Sequence, residues 1–405
     1  MKKIIISTVA LSAIIGSFST ISANEGLNIF SDTKFSGEIR PRYEFADKEG
    51  GTEAANAFTA RTRLRVQSKL LDMDGLSATV AVSTVNNFGS TDYSPASPKY
   101  DLILDPQKAM LSEAMINYKI GATTIAAGRS HLNLDDQRFI GTVGWRQLER
   151  SYDTINVISK PVDGLTLIGA YVYGYEGVDA NPTTETNSAV LNAKYIVNDN
   201  LTVTGFGYLL ADIHDTYGLR ATGKVNVDNI KLDYAASYAM QSKASLNATD
   251  TVNVDIDASY IDLALGANMS GLLLGVEYES LGQANGSSAK GFTTPLATLH
   301  KFQGFADEFL GQTRDSNTAG IIDISLKAGY TAKGFGKALV FYHNFSSDDG
   351  SLDLGSEIDA LYVNALPGVK GVSALLKAAY YTAGEATSGH TANNTKFWAQ
   401  LDYKF

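Results

Sequence analysis

Apolar and polar side chains alternate with a period of two along most of the chain. In Lys34–Phe45 every even-numbered residue is polar and the odd-numbered residues are mostly apolar. Phe58–Lys69 repeats the pattern with the phase reversed. Successive side chains of a strand point to opposite faces, whereas a helix would place Arg61 and Arg65 beside Leu64. The pattern therefore predicts strands with one polar face and one mostly apolar face.

Similar alternation recurs as far as the last residue, in Val252–Ser259, Leu272–Glu279, Ile322–Tyr330 and Lys396–Phe405. It predicts about eighteen strands from Lys34 onwards. A strand of about eleven residues tilted by about 40° spans on the order of 28 Å, which matches the apolar belt of a membrane-spanning barrel.

Short and long joins alternate between these strands. The short joins contain Gly, Asn, Asp or Pro, residues that tolerate tight turns. They are Asp72–Gly75, Gly121, Pro161–Gly164, Asn198–Asn200, Asp228–Asn229, Met269–Gly271, Lys333–Gly336 and Pro367–Gly371. The long joins are Ala46–Ala57, Asn87–Lys108, His131–Arg150, Glu176–Asn187, Ala211–Tyr217, Gln241–Thr251, Leu281–Ala319, Ser346–Gly355 and Ala383–Thr395.

This asymmetry is typical of outer-membrane barrels, which have short periplasmic turns and long extracellular loops. We therefore predict an all-β fold, a transmembrane antiparallel up-and-down β-barrel of about eighteen strands. The alternative is a soluble all-β sandwich or propeller, which has no reason to sort its loops in this way.

Both termini carry targeting features. Lys2 and Lys3 precede the apolar run Ile4–Ile15, so residues 1–23 are expected to be a secretory signal peptide and residues 24–405 the barrel. The apolar run is shorter than the roughly 20 residues of a transmembrane helix. The alternating C-terminal strand ends on Phe405, which is typical of strands recognised by the barrel-assembly machinery.

Composition narrows the classes of function. The chain has 21 Tyr and 17 Phe but no Cys, so disulfides do not hold it together. Its net charge of −10 argues against binding nucleic acid. Aromatic residues near strand ends are expected to contact outer-membrane lipid and lipopolysaccharide, for example Tyr118, Tyr195, Tyr278 and Tyr330.

Enzymatic and metal sites are not predicted. The sequence contains no GxSxG, HExxH or phosphate-loop motif, and its five histidines show no metal-ligand spacing. The acidic segment Asp348–Asp353 lacks the full register of a calcium loop. His300 and Asp307 are too sparse for a catalytic or metal site. We therefore expect no enzyme activity, cofactor or metal.

Two segments carry a family resemblance. They are GRSHLNLDDQRFIGTVGWRQLERSYD at Gly128–Asp153 and FTTPLATLHKFQGFADEFL at Phe292–Leu310. They resemble the alginate-export family of bacterial outer-membrane porins, although Phe305 stands where that family more often has Trp. The resemblance implies an eighteen-stranded barrel in the outer membrane. It does not identify alginate as the cargo.

Charged residues on the polar faces are the candidate site. Those predicted to line the pore are the basic residues Arg40, Arg42, Arg61, Arg63, Arg65, Arg129, Arg138 and Arg146 and the acidic residues Glu38, Glu44, Glu113, Glu277, Glu279 and Asp323. Arg150, Glu357 and Asp359 are further candidates. Charged walls of this kind select ions in pores, and the arginines would favour anions. The alternative is an Arg–Glu network that stiffens the wall.

Two long joins are candidates to enter the lumen. The mixed charges of His131–Arg150 suit either an inward or a solvated loop. Helical spacing in the longest join predicts a short amphipathic helix, at the pore mouth or packed within it, rather than one that binds a partner. The residues that carry this spacing are Leu296, Leu299, Phe302, Phe305, Phe309 and Leu310.

The function expected from these features is an outer-membrane porin. Its water-filled channel would serve passive diffusion of small hydrophilic, and more specifically anionic, solutes. Two alternatives stay open, an alginate or polysaccharide export channel and a closed barrel that acts as a surface adhesin or structural anchor. The sequence leaves the oligomeric state undecided.

Overall fold

Antiparallel strands make up most of the chain in the computed structural model, which describes residues 29–405 except 180, 248–253, 287, 289, 317 and 386–387. The predicted signal peptide at residues 1–23 lies outside the described residues. The eighteen strands are β1 Phe30–Lys48, β2 Ala55–Leu70, β3 Leu76–Asn86, β4 Lys108–Ile120, β5 Thr123–Ser130, β6 Ser151–Ser159, β7 Leu165–Glu176, β8 Thr184–Asn198, β9 Leu201–Leu210, β10 His214–Val227, β11 Ile230–Ser242, β12 Asp257–Met269, β13 Leu272–Leu281, β14 Ile321–Ala332, β15 Gly336–Ser346, β16 Asp353–Ala365, β17 Val372–Thr382 and β18 Asn394–Lys404.

The sheet closes on itself between β1 and β18. Each strand pairs antiparallel with its neighbours in sequence, and β1 also pairs with β18 from Glu38 opposite Lys404 to Lys48 opposite Asn394. The backbones of Gly37 and Phe405 exchange hydrogen bonds of 2.9 and 3.1 Å at the seam. Closure pairs the backbone groups that an open edge would expose, which a lipid environment requires. The predicted up-and-down barrel of eighteen strands is confirmed.

Alternation gives the barrel an apolar exterior. Leu219 is 64% exposed, and Leu263 and Leu326 are 53% and 54% exposed, on the outer face. The neighbouring residues Arg220 and Asp262 point inward and form an ion pair of 3.0 Å. Among the described residues, no helix has the length and apolar character needed to cross a membrane.

The joins follow the predicted order of short turns and long loops. Three of the long joins hold more residues than the rest, namely 87–107, 131–150 and 282–320. The alternation of Val252–Ser259 predicts a strand that starts before the observed one, since β12 begins at Asp257. Residues 254–256 precede that strand, and Ile256 forms an isolated bridge with Lys290 instead.

The predicted amphipathic helix between Leu296 and Leu310 does not form. Between Leu296 and Phe309 only Leu299–Lys301 adopts a 3₁₀ turn, and a short π-helix, Gln312–Ser316, follows later in the loop. The backbone N–H groups of Phe305 and Ala306 bond to wall carboxylates at 3.0 and 2.7 Å, so they are not available for a helix. The apolar side chains are nevertheless packed inside the barrel, as Leu296 and Phe309 are 5% and 1% exposed.

Charge placed on the two faces of one strand should destabilise the barrel to different extents. Leu219→Arg puts a cation against lipid and is expected to cost about 2–4 kcal/mol near the bilayer midplane. Thr222→Arg, on the lumen side of the same strand, should cost far less. Urea titration of folding into lipid vesicles measures both. Equal losses would contradict the assignment of the outer face.

Candidate functional site

Two long joins fold into the barrel and form hydrogen bonds with each other there. We call residues 131–150 loop A and residues 282–320 loop B. The backbone N–H of Gly141 donates to Leu296 O at 2.9 Å, and that of Thr298 donates to Gln137 O at 3.0 Å. The hydroxyl of Thr298 accepts from the N–H of Val143 at 3.1 Å. Loops A and B therefore form one folded unit that narrows the lumen.

The arginines of β1 and β2 hold loop A against the wall. Arg40 donates to Gly144 O at 2.9 Å, and Arg42 donates to Trp145 O. Arg61 and Arg63 each donate to the carboxylate of Glu149, at 2.7 and 3.0 Å. Burial raises the pKa of Glu149, but Arg61 and Arg63 outweigh it and hold the pKa below its usual value.

Acidic side chains form ion pairs with most of the arginines on this wall. Glu38 accepts from Arg61 at 2.7 Å and from Arg63 at 3.1 Å. The side chains of Arg61 and Arg42 are 1% and 0% exposed, whereas those of Arg63 and Arg65 keep 22% and 31%. The expectation of five arginines facing water is therefore met only in part. Arg40, Arg42 and Arg61 are buried under loop A and form the stiffening network.

Acidic residues of β13 and β16 hold loop B. Glu279 accepts from Arg138 of loop A at 2.5 Å and also from Gln303 of loop B. Glu357 accepts from the N–H of Ala306, and Asp359 accepts from that of Phe305. These carboxylates are buried at 3%, 1% and 0% exposure in that order. They dock a loop and do not face the water-filled lumen.

Gly304 permits this docking. Its φ is +79°, and a Cβ there would overlap the carboxylate of Glu357. An L-residue with a side chain would be strained at this φ and would push loop B away from the wall.

The other predicted pore residues have distinct positions. Arg146 of loop A bonds Glu44 at 2.9 Å and Asp307 of loop B at 3.2 Å. Glu113 accepts from Arg65 at 3.1 Å, and Asp323 bonds His343 at 2.8 Å. Glu277 faces the lumen partly exposed, with no hydrogen bond or ion pair among the described residues.

Arg129 does not line the pore. It continues the outward series of exposed residues Ile125 and Ala127 on β5. Its guanidinium bonds Asp153 at 2.7 Å and Glu176 at 2.5 Å. These ion pairs link the end of β5 to Asp153 of β6 and Glu176 of β7.

No local pattern of residues predicts the centre of the constriction. The Trp145 ring of loop A stacks on His300 of loop B at 3.9 Å, and the Arg42 guanidinium lies 4.2 Å from the other face of Trp145. Lys377 of β17 lies 2.7 Å from His300 Nε2. These residues are far apart in the chain, and only the rarity of tryptophan, with 2 in the sequence, could have drawn attention to them.

Cavities adjoin the two loops. One of about 520 Å³ lies at the long-loop end and is lined by Lys48, Arg146, Arg150, Arg314 and Lys396 among others. A second, of about 460 Å³, shares Arg150 and Arg314 with it. A third, of about 500 Å³, is lined by Trp145, Glu149, Lys301 and Phe305.

Arg150 carries an uncompensated charge at the junction of the first two cavities. Its guanidinium donates to backbone carbonyls, for example Pro295 O at 3.2 Å and Ala297 O at 3.5 Å. Its Nε has no hydrogen-bond partner, and no carboxylate pairs with it within the described part of the chain. A buried cation without a counter-ion favours an anion in the adjoining space.

The chain matches no protein-family profile and no curated protein. It is similar to solved structures of outer-membrane porins. OccAB3 of Acinetobacter baumannii has 15% identity and a TM-score of 0.72, covering 92% of this chain and 100% of its own. OccAB4 of the same organism has 16% identity and a TM-score of 0.70, with 93% and 98% covered. OpdK of Pseudomonas aeruginosa with vanillate has 13% identity and a TM-score of 0.69, with 93% and 100% covered. These likenesses establish the fold.

Docking of loop B can be tested with two glycines of that loop. Gly304→Ala should release loop B at a cost of about 1–3 kcal/mol, because the added methyl meets Glu357 in a strained backbone. Gly311→Ala is the matched control, since no atom lies within 4 Å of its Cβ position. Trypsin cleavage after Lys301 in the folded barrel should accelerate only in Gly304→Ala. Equal cleavage of both variants would contradict the docking.

Proposed function

We propose that this chain is a porin of the bacterial outer membrane, with a water-filled channel for passive diffusion of small hydrophilic solutes. The observation that carries the proposal is the closed barrel with an apolar exterior and an interior narrowed by loops A and B. An adhesin or structural anchor needs no cavities on its inside, whereas this barrel has cavities that both loops line.

The size of the cavities favours small solutes over a polymer. Volumes of about 460–520 Å³ fit the range of sites for small molecules. Loops A and B are fixed to both walls and to each other, so a polysaccharide chain would have to displace them. The resemblance to the alginate-export family stays a prediction, and the similar solved structures support a porin of the Occ and Opd type instead.

A preference for anions is part of the proposal. Arg150 presents an unpaired charge to the two cavities at the long-loop end, and Arg63 and Arg65 keep exposed guanidinium groups further along the lumen. One similar structure, OpdK, was solved with vanillate, an aromatic carboxylate. Glu277 offers a partly exposed negative charge on the other wall.

The remaining assignments belong to the same proposal. Residues 1–23 direct export, the outer face contacts lipid and lipopolysaccharide, and the assembly machinery binds the last strand through Phe405. The side chain of Phe405 is 54% exposed although its backbone is paired with Gly37, which supports a contact outside the barrel.

Replacement of Arg150 should reduce anion selectivity. Arg150→Gln removes the uncompensated charge, so the anion-to-cation permeability ratio should fall roughly twofold to tenfold. Reversal potentials in planar bilayers under a salt gradient measure this ratio. Lys370→Gln, in a turn at the opposite end, is the control with the same change in charge. Complete absence of conducting steps in the unaltered protein would instead favour the anchor.

Substitutions of Arg61 and Arg63 should distinguish a role in stability from a role in ion selectivity. Arg61→Ala leaves Glu38 and Glu149 partly unpaired and is expected to cost about 3–5 kcal/mol of stability. Arg63→Ala removes a paired charge that keeps 22% exposure, so it should shift the reversal potential towards cations and cost less stability than Arg61→Ala. Urea titration and bilayer recording of both variants make the comparison. A selectivity change in Arg61→Ala alone would reverse the roles assigned to them.

A further inference from the structure

A buried histidine joins both inward loops to the barrel wall. His300 of loop B is 4% exposed and stacks on Trp145 of loop A at 3.9 Å. Phe305 stacks near its ring at 5.5 Å, and Trp398 of β18 meets it edge-on at 5.6 Å. We call these residues, together with Lys377, the His300 cluster.

Two hydrogen bonds fix the protonation state of His300. Its Nδ1 lies 2.7 Å from Asp307 Oδ1, and its Nε2 lies 2.7 Å from Lys377 Nζ. A carboxylate can only accept, so the proton is on Nδ1. Lys377 as an ammonium can only donate, so Nε2 accepts from it. With Lys377 protonated and Asp307 ionised, the geometry fits a neutral imidazole.

The charges around the ring oppose a second proton. Lys377 faces Nε2 directly, Arg42 lies on the far side of Trp145, and Arg146 and Lys396 bond Asp307 at 3.2 and 3.4 Å. Asp307 is the acidic group that bonds the ring, since Glu357 and Asp359 are engaged with the backbone of loop B.

Burial sets the direction in which the ring titrates. Burial lowers the pKa of His300 well below its ordinary value of 6.5, against the opposite effect of Asp307, and Lys377 and Arg146 lower it further. The stabilisation that neutral His300 gives to the docked loop is fully present at a pH above the ordinary histidine pKa. It is lost as the pH falls below 6.5 towards the lowered value of the folded protein.

We propose that His300 is a pH-sensitive latch that holds loop B docked at neutral pH and releases it in acid. This inference rests on the proposed channel function and adds a regulation of it. A proton on Nε2 would place two cations 2.7 Å apart, which separates His300 from Lys377 and breaks its stack on Trp145. The released part of loop B then leaves its position against loop A and the wall and moves across the remaining passage, so acid lowers the open probability.

The chain carries its own reporters of this event. Both tryptophans of the sequence, Trp145 and Trp398, contact His300. Tryptophan emission of the folded protein in detergent should therefore change between about pH 7.5 and about pH 4.5 in a single step with its midpoint below the ordinary histidine pKa. Circular dichroism over the same range monitors the barrel and should stay constant.

Substitutions on both sides of the hydrogen bond test the mechanism. His300→Gln should remove the step in emission and the fall in open probability. Lys377→Met should abolish acid closure, because protonated His300 would then face Asp307 without an opposing ammonium and would stay stacked on Trp145. A variant with Gln at positions 131, 214, 343 and 390 keeps His300 alone and should still close in acid.

The outcomes separate the latch from the channel. Conducting steps at neutral pH that persist unchanged in acid would overturn the latch and leave the channel intact. An unaltered acid response in His300→Gln, or its loss in the variant that keeps only His300, would also overturn it. Absence of conductance at every pH would overturn the channel function itself, whatever the emission shows.

Discussion

Pairing of the backbone in a closed sheet is the constraint on which the rest of this structure depends. A lipid environment offers no hydrogen-bond partner, so the seam between β1 and β18 has to be completed as far as Gly37 and Phe405. Closure fixes which face of each strand meets lipid. The outer rows carry residues such as Leu219 and Leu326, and the charged residues of the same strands are directed inward. The interior of the barrel is therefore crowded with charge that needs partners.

Loops A and B supply many of these partners. Glu149 compensates Arg61 and Arg63, and Arg138 of loop A reaches Glu279 on the opposite wall. Ionised groups buried without partners cost several kcal/mol each, so the loops and the walls stabilise each other. The charges left over define what a solute meets. Arg63, Arg65 and Glu277 keep exposure to the lumen, and Arg150 lacks a carboxylate among the described residues.

Strands and their facing could be predicted because they follow from local alternation, whereas the roles of individual charges could not. Arg40 and Arg63 belong to the same polar face of one hairpin, yet the side chain of Arg63 keeps 22% exposure and that of Arg40 only 11%. Arg129 was misplaced, since it shares the outward face of β5 with Ile125 and Ala127. The helix predicted from the spacing of apolar residues in loop B was wrong because of a tertiary contact. Glu357 and Asp359 accept the backbone N–H groups that a helix would use. The stack of Trp145 on His300 depends on residues 155 positions apart in the chain, for which no local pattern exists.

The connection of both loops to opposite walls has a mechanical consequence. Loop A is fixed to β1 and β2 through Gly144 and Glu149, and loop B is fixed to β11 through a bond from Gln241 to Thr293 O at 2.6 Å and to β16 through Ala306. Together they act as a cross-brace along the diameter of the cylinder. A hollow tube of this width can flatten into an ellipse under lateral pressure, but a braced tube keeps a round cross-section. The same contacts that narrow the passage thus keep its width independent of the tension in the surrounding bilayer.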